Sequence, residues 1–201
     1  MNYKNSRDVA WQILIKNKVS SLPVDVQQIC KANHIRCFTY GEGAQLIEKL
    51  KLKGNTIGND AFSIGRVIFY DSQMPVTRQR FSIAHEIGHI LLHNPTGATV
   101  YNREPSPSDD PIESEANIFA SRLLAPLCVL HYLNVQTPEE IAKFCNISIT
   151  AAQIRFERLC RVRNKDRDFL QAKGHGCFLS APMERDVLRL FERYIQEHRR
   201  I

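Results

Sequence analysis

The sequence predicts an α+β fold, mostly helical, with three short extended segments that form a small sheet. Two segments with apolar residues at helical spacing, 78–93 (RQRFSIAHEIGHILLH) and 112–124 (IESEANIFASRLL), carry the helical signal. Residues 61–70 (AFSIGRVIFY) and 37–40 (CFTY) are rich in β-branched and aromatic types and carry the strand signal. Between the two helices, residues 94–112 hold four prolines with several Ser and Asp residues, the composition of a loop.

Taken in order, the first forty residues read as two helices and a strand. Pro23, followed by Val26, Ile29 and Cys30 at helical spacing, marks the second helix. The strand at 37–40 stops at Gly41 and Gly43. Residues 44–53 (AQLIEKLKLK) suit a helix closed by Gly54, and Gly65 divides 61–70 into two strands, with a break at Pro75. Thr77 can cap the helix at 78–93, and Asn94-Pro95 ends it. Thr137-Pro138-Glu139-Glu140 is a capping box that opens a helix to about Cys145. Ser148 caps the next helix, to about Val162, and a last helix spans about 182–198. The expected organisation is one domain over 1–133 and a helical region over 134–201.

The chain has 201 residues, 43% of them hydrophobic and 24% charged, enough for one sizeable core with a small appendage. No apolar run reaches the roughly 18 residues that a membrane-spanning helix needs. The opening MNYKNSRD lacks the pattern of a signal peptide, so the expected location is the cytoplasm. The six cysteines, at 30, 37, 128, 145, 160 and 177, are irregularly spaced and contain no C-x-x-C. They are expected to be free thiols and small buried hydrophobes rather than a cysteine-rich zinc site. A net charge of +6 is modest and fits a solvated basic surface better than a nucleic-acid interface.

His85-Glu86-Ile87-Gly88-His89 is an H-E-x-x-H motif. On a helix the two histidines project from one face, one turn apart, where two imidazoles can bind one zinc ion. Glu86 is rotated about 100° from His85. It leaves the metal free and can act as general base on the attacking water. Shuffling this composition would produce the motif roughly once in seventy chains. The apolar context narrows that further, because a buried helix with two histidines and a glutamate is costly unless those groups are paired. His93 continues the four-residue spacing and reads as a supporting residue. The plain alternative is a pair of satisfied core histidines.

A catalytic zinc site commonly has three protein ligands, so one more is needed. In Glu113-Ser114-Glu115-Ala116-Asn117, residues Glu113, Ala116, Asn117 and Ala120 share a helix face. The alanines let this helix approach the histidines closely. Glu113 can then be the third ligand, and Asn117 can orient a histidine through its other ring nitrogen. Glu115, on another face, is less well placed. Both glutamates can instead be a solvated first turn that favours the helix dipole. Val67, Ile68, Phe69 and Tyr70 are expected to form a sheet edge beside the zinc that binds an extended substrate. Tyr101, or another residue of the 94–112 loop, is open as a transition-state donor. An isolated His175–Cys177 pair carries little metal-binding signal.

RFSIAHEIGHILLH followed by ESEANIFASRLLAP resembles the ImmA/IrrE family of metallopeptidases. LPVDVQQICKANHI and RVIFYD upstream, and TPEEIAKFCNISITAAQIRFERL downstream, are similar to it too. The resemblance is strongest over 60–130. It implies a zincin-like fold with a sheet edge and two active-site helices, zinc held by His85, His89 and Glu113, and Glu86 as catalytic glutamate. It also implies a protein substrate, a DNA-binding helix-turn-helix repressor often encoded beside the peptidase on a phage or mobile element. Cleavage of that substrate relieves repression of transcription.

Two other functions compete. Residues 137–163 have helix-turn-helix proportions, with Ile141, Ala142, Ile147 and Ala152 as a small core and Arg155, Arg158, Arg161 and Arg163 following. That pattern suits a DNA-binding regulator. Glu157, Asp166 and Asp168 interrupt the basic row, so DNA binding is expected to be weak. A zinc-binding protein that only sequesters its repressor is the other alternative, but pure metal binding has no need of Glu86.

Overall fold

The computed structural model describes residues 3–50, 60–93, 110–173 and 182–199. Gly54, Tyr101, His175 and Cys177, and almost all of the expected 94–112 loop, lie outside the described residues. The chain packs as two compact units, Met1–Val9 with Asp25–Ala120 and Ala10–Val24 with Ser121–Ile201. The first helix, α1 (Tyr3–Lys16), contributes to both.

The first unit is built on a three-stranded sheet. Strands β1 (Arg36–Thr39), β2 (Ala61–Ile64) and β3 (Val67–Tyr70) lie in the order β1-β3-β2. β1 runs parallel to β3, and β2 pairs antiparallel with it. Gly65 turns the β2–β3 hairpin with φ +57°, a conformation that costs glycine nothing and a β-branched residue a great deal.

Alternation along the strands gives the sheet two different faces. Phe38, Phe69 and Phe62 are paired across one face, where Ile47 of α3 (Ala44–Lys49) completes an apolar cluster. Cys37, Ile68 and Ser63 are paired across the other, the side of α2 (Val26–Ala32) and α4 (Val76–Leu92). The expectation that Val67–Tyr70 forms a sheet edge is corrected here. β3 is the central strand and its backbone is engaged on both sides. An apolar run marks a strand covered on its faces but does not say which of its edges is paired, so the sequence left this open.

Helix caps account for the remaining differences. Asp25 caps α2 by accepting from the Gln28 amide at 3.0 Å, so Pro23 lies outside that helix. α4 begins two residues earlier than expected, with Pro75 rather than Thr77 at its cap. The Pro75 carbonyl accepts from Arg78 and Gln79 at 2.8 and 3.0 Å, and its fixed φ suits the position. α5 (Pro111–Leu124) takes Pro111 as its first residue, and the Asp110 side chain accepts from the Ile112 amide at 2.9 Å.

The second unit is helical: α6 (Leu127–Tyr132), α7 (Pro138–Cys145), α8 (Ile149–Lys173) and α9 (Pro182–His198). Thr137 caps α7 as expected, Asn146 ends it in a left-handed conformation, and the Ser148 hydroxyl accepts from Ala151 at the start of α8. The expected end of α8 near Val162 is corrected, because the helix continues to Lys173. Residues 163–173 contain neither glycine nor proline, so nothing local stops it. Of the expected small core, Ile141, Ile147 and Ala152 are buried and Ala142 is half-buried. Among the described residues no helix is long and apolar enough to cross a membrane.

Candidate metal centre

α4 presents the motif on its buried stretch, where every residue from Ser82 to Ile90 is shielded from solvent. His85 is 0% and His89 1% exposed. Their four-residue spacing brings the two Nε2 atoms within 2.8 Å of each other. Two imidazoles this close and this buried have few ways to be satisfied other than a shared proton or a shared cation.

The carboxylate that completes the group comes from α5. Glu113 Oε2 lies 3.2 Å from His85 Nε2, and Oε1 lies 3.0 Å from His89 Nε2. One ligand atom from each of the three residues falls within 4.8 Å of the others, so the group could hold a metal ion. Close helix packing makes the approach possible. A Cβ on Gly88 would stand 3.2 Å from the Ala116 Cα and 3.0 Å from the Phe119 ring, so α5 fits only because position 88 has no side chain. The structure therefore brings Glu113, and not Glu115, to the histidines. Glu115 lies beside His93, 3.7 Å from its Nε2.

Asn117, one turn beyond Glu113, meets His85 at Nδ1, 2.9 Å from its Oδ1. An amide oxygen only accepts, so Nδ1 donates and carries the proton. The Nε2 lone pair is then directed at the group's centre, the arrangement that metal-ligating histidines use. Glu86, 2% exposed, is not one of the three grouped donors and accepts from the Ser63 hydroxyl at 2.7 Å. Ser63 is a site residue that the sequence reading missed. A lone serine inside the apolar strand AFSIG was the available signal, because a buried hydroxyl needs a partner.

Electrostatics fit a cation site. The neighbouring His85 and then His89 rings hold the Glu113 carboxyl well below the usual carboxylate range, against the opposing effect of burial. It is therefore a ready anionic donor. Burial, and then the neighbouring His89, push the His93 imidazole down, which favours its neutral form beside the centre.

With this geometry in place, the family comparison is decisive. Residues 45–157, more than half of the chain, match the IrrE N-terminal-like domain family of M78 peptidases. The chain belongs to this family. The match spans the H-E-x-x-H helix, Glu113, α7 and the first turns of α8. Membership supports a metallopeptidase-type function and hence a protein substrate, as the resemblance led one to expect. Among curated proteins, no relative matches the chain.

Proposed function

We propose that this protein is a zinc-dependent endopeptidase with a zincin-like, gluzincin-type centre. The observation that carries the reading is the convergence of His85, His89 and Glu113 with Glu86 buried alongside on a neighbouring strand's hydroxyl. Two imidazole nitrogens and one carboxylate oxygen are the donor set of a catalytic zinc site that keeps a position open, so the residues present fit the ion. When bound there, zinc supplies Lewis-acid polarisation of the scissile carbonyl and acidifies water. The chain's own residues do the rest. Glu86 takes a proton from the attacking water and returns it to the leaving amine. The Ser63 hydroxyl holds the Glu86 carboxylate in place, and Asn117 holds the His85 ring in the ligating tautomer.

On this reading residues 1–133 form the peptidase domain and 134–201 a helical region that serves protein contacts. The cytoplasm is the proposed location. A helix-turn-helix repressor is the proposed substrate, and its cleavage switches transcription on. The likeness of HEIGH and ESEAN to the repressor-cleaving family supports this choice. Two of the four arginines that motivated a DNA-binding reading are turned inward, which weighs against it. Arg155 Nε donates to the Ala125 carbonyl at 2.7 Å, and Arg163 donates to the Val135 carbonyl at 2.8 Å. A third, Arg161, pairs with Glu157 at 3.3 Å.

Glu86→Gln separates peptidase from sequestering binder. The substitution keeps size and shape, and leaves the metal donors untouched. Metal content and repressor binding should persist while cleavage falls by about 10²–10⁴-fold, the usual contribution of a general base. Repressor fragments and reporter output are measured together. Full derepression by the variant, with fragments from neither protein, overturns the peptidase reading.

A further inference from the structure

Outside the metal centre, the thiols of Cys30 and Cys37, on different elements, meet. α2 ends in a Schellman turn. The Ile35 amide donates to the Cys30 carbonyl at 2.8 Å, the His34 amide donates to the Lys31 carbonyl at 3.2 Å, and His34 is left-handed at φ 55°. This reversal starts β1 at Arg36 and folds Cys37 back over the last turn of α2, on the sheet face that α2 covers. The Cys30 and Cys37 side chains hydrogen-bond each other. Both line a groove of about 850 Å³, together with Gln27, Lys31 and His34.

The two sulfurs are not equivalent. Cys30 is buried, whereas Cys37 is partly exposed. The Cys30 thiol donates to the Cys37 sulfur, which lowers the Cys37 pKa and pushes that of Cys30 far up. A hydrogen bond from Gln27 adds to the effect on Cys37, while burial and the Glu42 carboxylate oppose it. One thiol is thus accessible and biased to the thiolate, and the other is poised behind it, the pattern of a redox-sensing cysteine with its resolving partner. The other described cysteines lack it. Cys128 is fully buried with its pKa pushed up to about 12, and Cys145 is buried. Cys160 is partly exposed and serves as an internal control.

We propose that Cys37 and Cys30 form a redox-sensitive thiol pair, oxidised by a peroxide to a disulfide that ties α2 to β1. The Cys37 thiolate attacks a peroxide oxygen, the O–O bond breaks, and Cys37 becomes a sulfenic acid while the other oxygen leaves and takes up a proton. The Cys30 sulfur then attacks the Cys37 sulfur. The S–O bond breaks, and hydroxide leaves as water with the Cys30 proton. Two thiols are oxidised to one disulfide, and hydrogen peroxide is reduced to water. α2 also packs on α4, so the crosslink forms beside the helix that carries His85 and His89.

The test uses the full chain, reduced, desalted and treated with stoichiometric hydrogen peroxide. Peptide mass spectrometry should find Cys30 joined to Cys37 with a loss of about 2 Da, reversed by dithiothreitol. In Cys30→Ser, sulfenic acid should persist at Cys37 and be trapped by dimedone. In Cys37→Ser, Cys30 should stay unmodified. Independently of any variant, iodoacetamide should label Cys37 at least about tenfold faster than Cys160, given the dependence of rate on thiolate content. Oxidation that starts at another cysteine, a Cys30→Ser protein with no trappable Cys37, or equal labelling of Cys37 and Cys160 each overturn the proposal.

Discussion

Glu86 concentrates the physical problem of this site in one side chain. A carboxylate at 2% exposure loses most of its hydration, and the hydroxyl of Ser63 replaces part of it. The same bond restricts the carboxylate's rotation, which a base needs if its oxygen is to meet a water repeatedly in one place. Ser63→Ala should therefore keep metal and fold but lower kcat about 10–100-fold, the usual cost of losing a supporting contact at a metal site. KM should change little. An unchanged kcat in steady-state cleavage assays would leave Ser63 a purely structural residue. The sequence motif names Glu86 and both histidines because their spacing is local to one helix. Ser63 is 23 positions away, and no local spacing rule connects it to the motif.

Among the elements, α4, α5 and β2 decide whether the site exists. α5 lies against α4 because Gly88 and Ala116 leave room, so a methyl group at position 88 has nowhere to go except into the Ala116 backbone and the Phe119 ring. Gly88→Ala should cost about 1–3 kcal/mol by overpacking, despite the better helix propensity of alanine, and should loosen Glu113 from the histidines. Denaturant titration with metal analysis checks both effects, and a stabilised variant that binds metal normally contradicts the packing argument. With β3 central, we propose β2 as the element that receives an extended substrate. Among the described residues it is an edge of the sheet, and it borders α4. The Asp71 amide donates to the Asp60 carbonyl, so in this register the Ala61 amide faces away from β3. Ala61→Pro should impair cleavage while metal stays bound, because an added strand loses one backbone donor. Equal cleavage by the variant removes β2 from substrate binding.

Over the whole molecule, metal binding and architecture are linked, since the donors come from α4 and α5 and meet only when the chain is folded. Protein purified without added metal should carry about one zinc per chain, and chelation should lower its melting temperature. Glu113→Ala should reduce the zinc content sharply, and Glu115→Ala should leave it near the parent level. Elemental analysis decides, and the opposite pattern would assign the third donor to the wrong residue.

Sequence by itself determined the features with short-range physical causes. The helix period placed His85 and His89 on one face, the i, i+3, i+4 pattern set Glu113 and Asn117 on another, Gly65 divided the hairpin, and Thr137 capped α7. Each depends on residues within a turn or a strand of one another. Tertiary structure alone decided what depends on neighbours in space. It made β3 a central strand, because the hydrophobic run that marks a strand says nothing about which side is left open. It turned Arg155 inward to a carbonyl 30 residues away, where a basic row had suggested a surface. It also brought Ser63 to Glu86, because partner choice for a buried polar group is fixed by packing and not by distance along the chain.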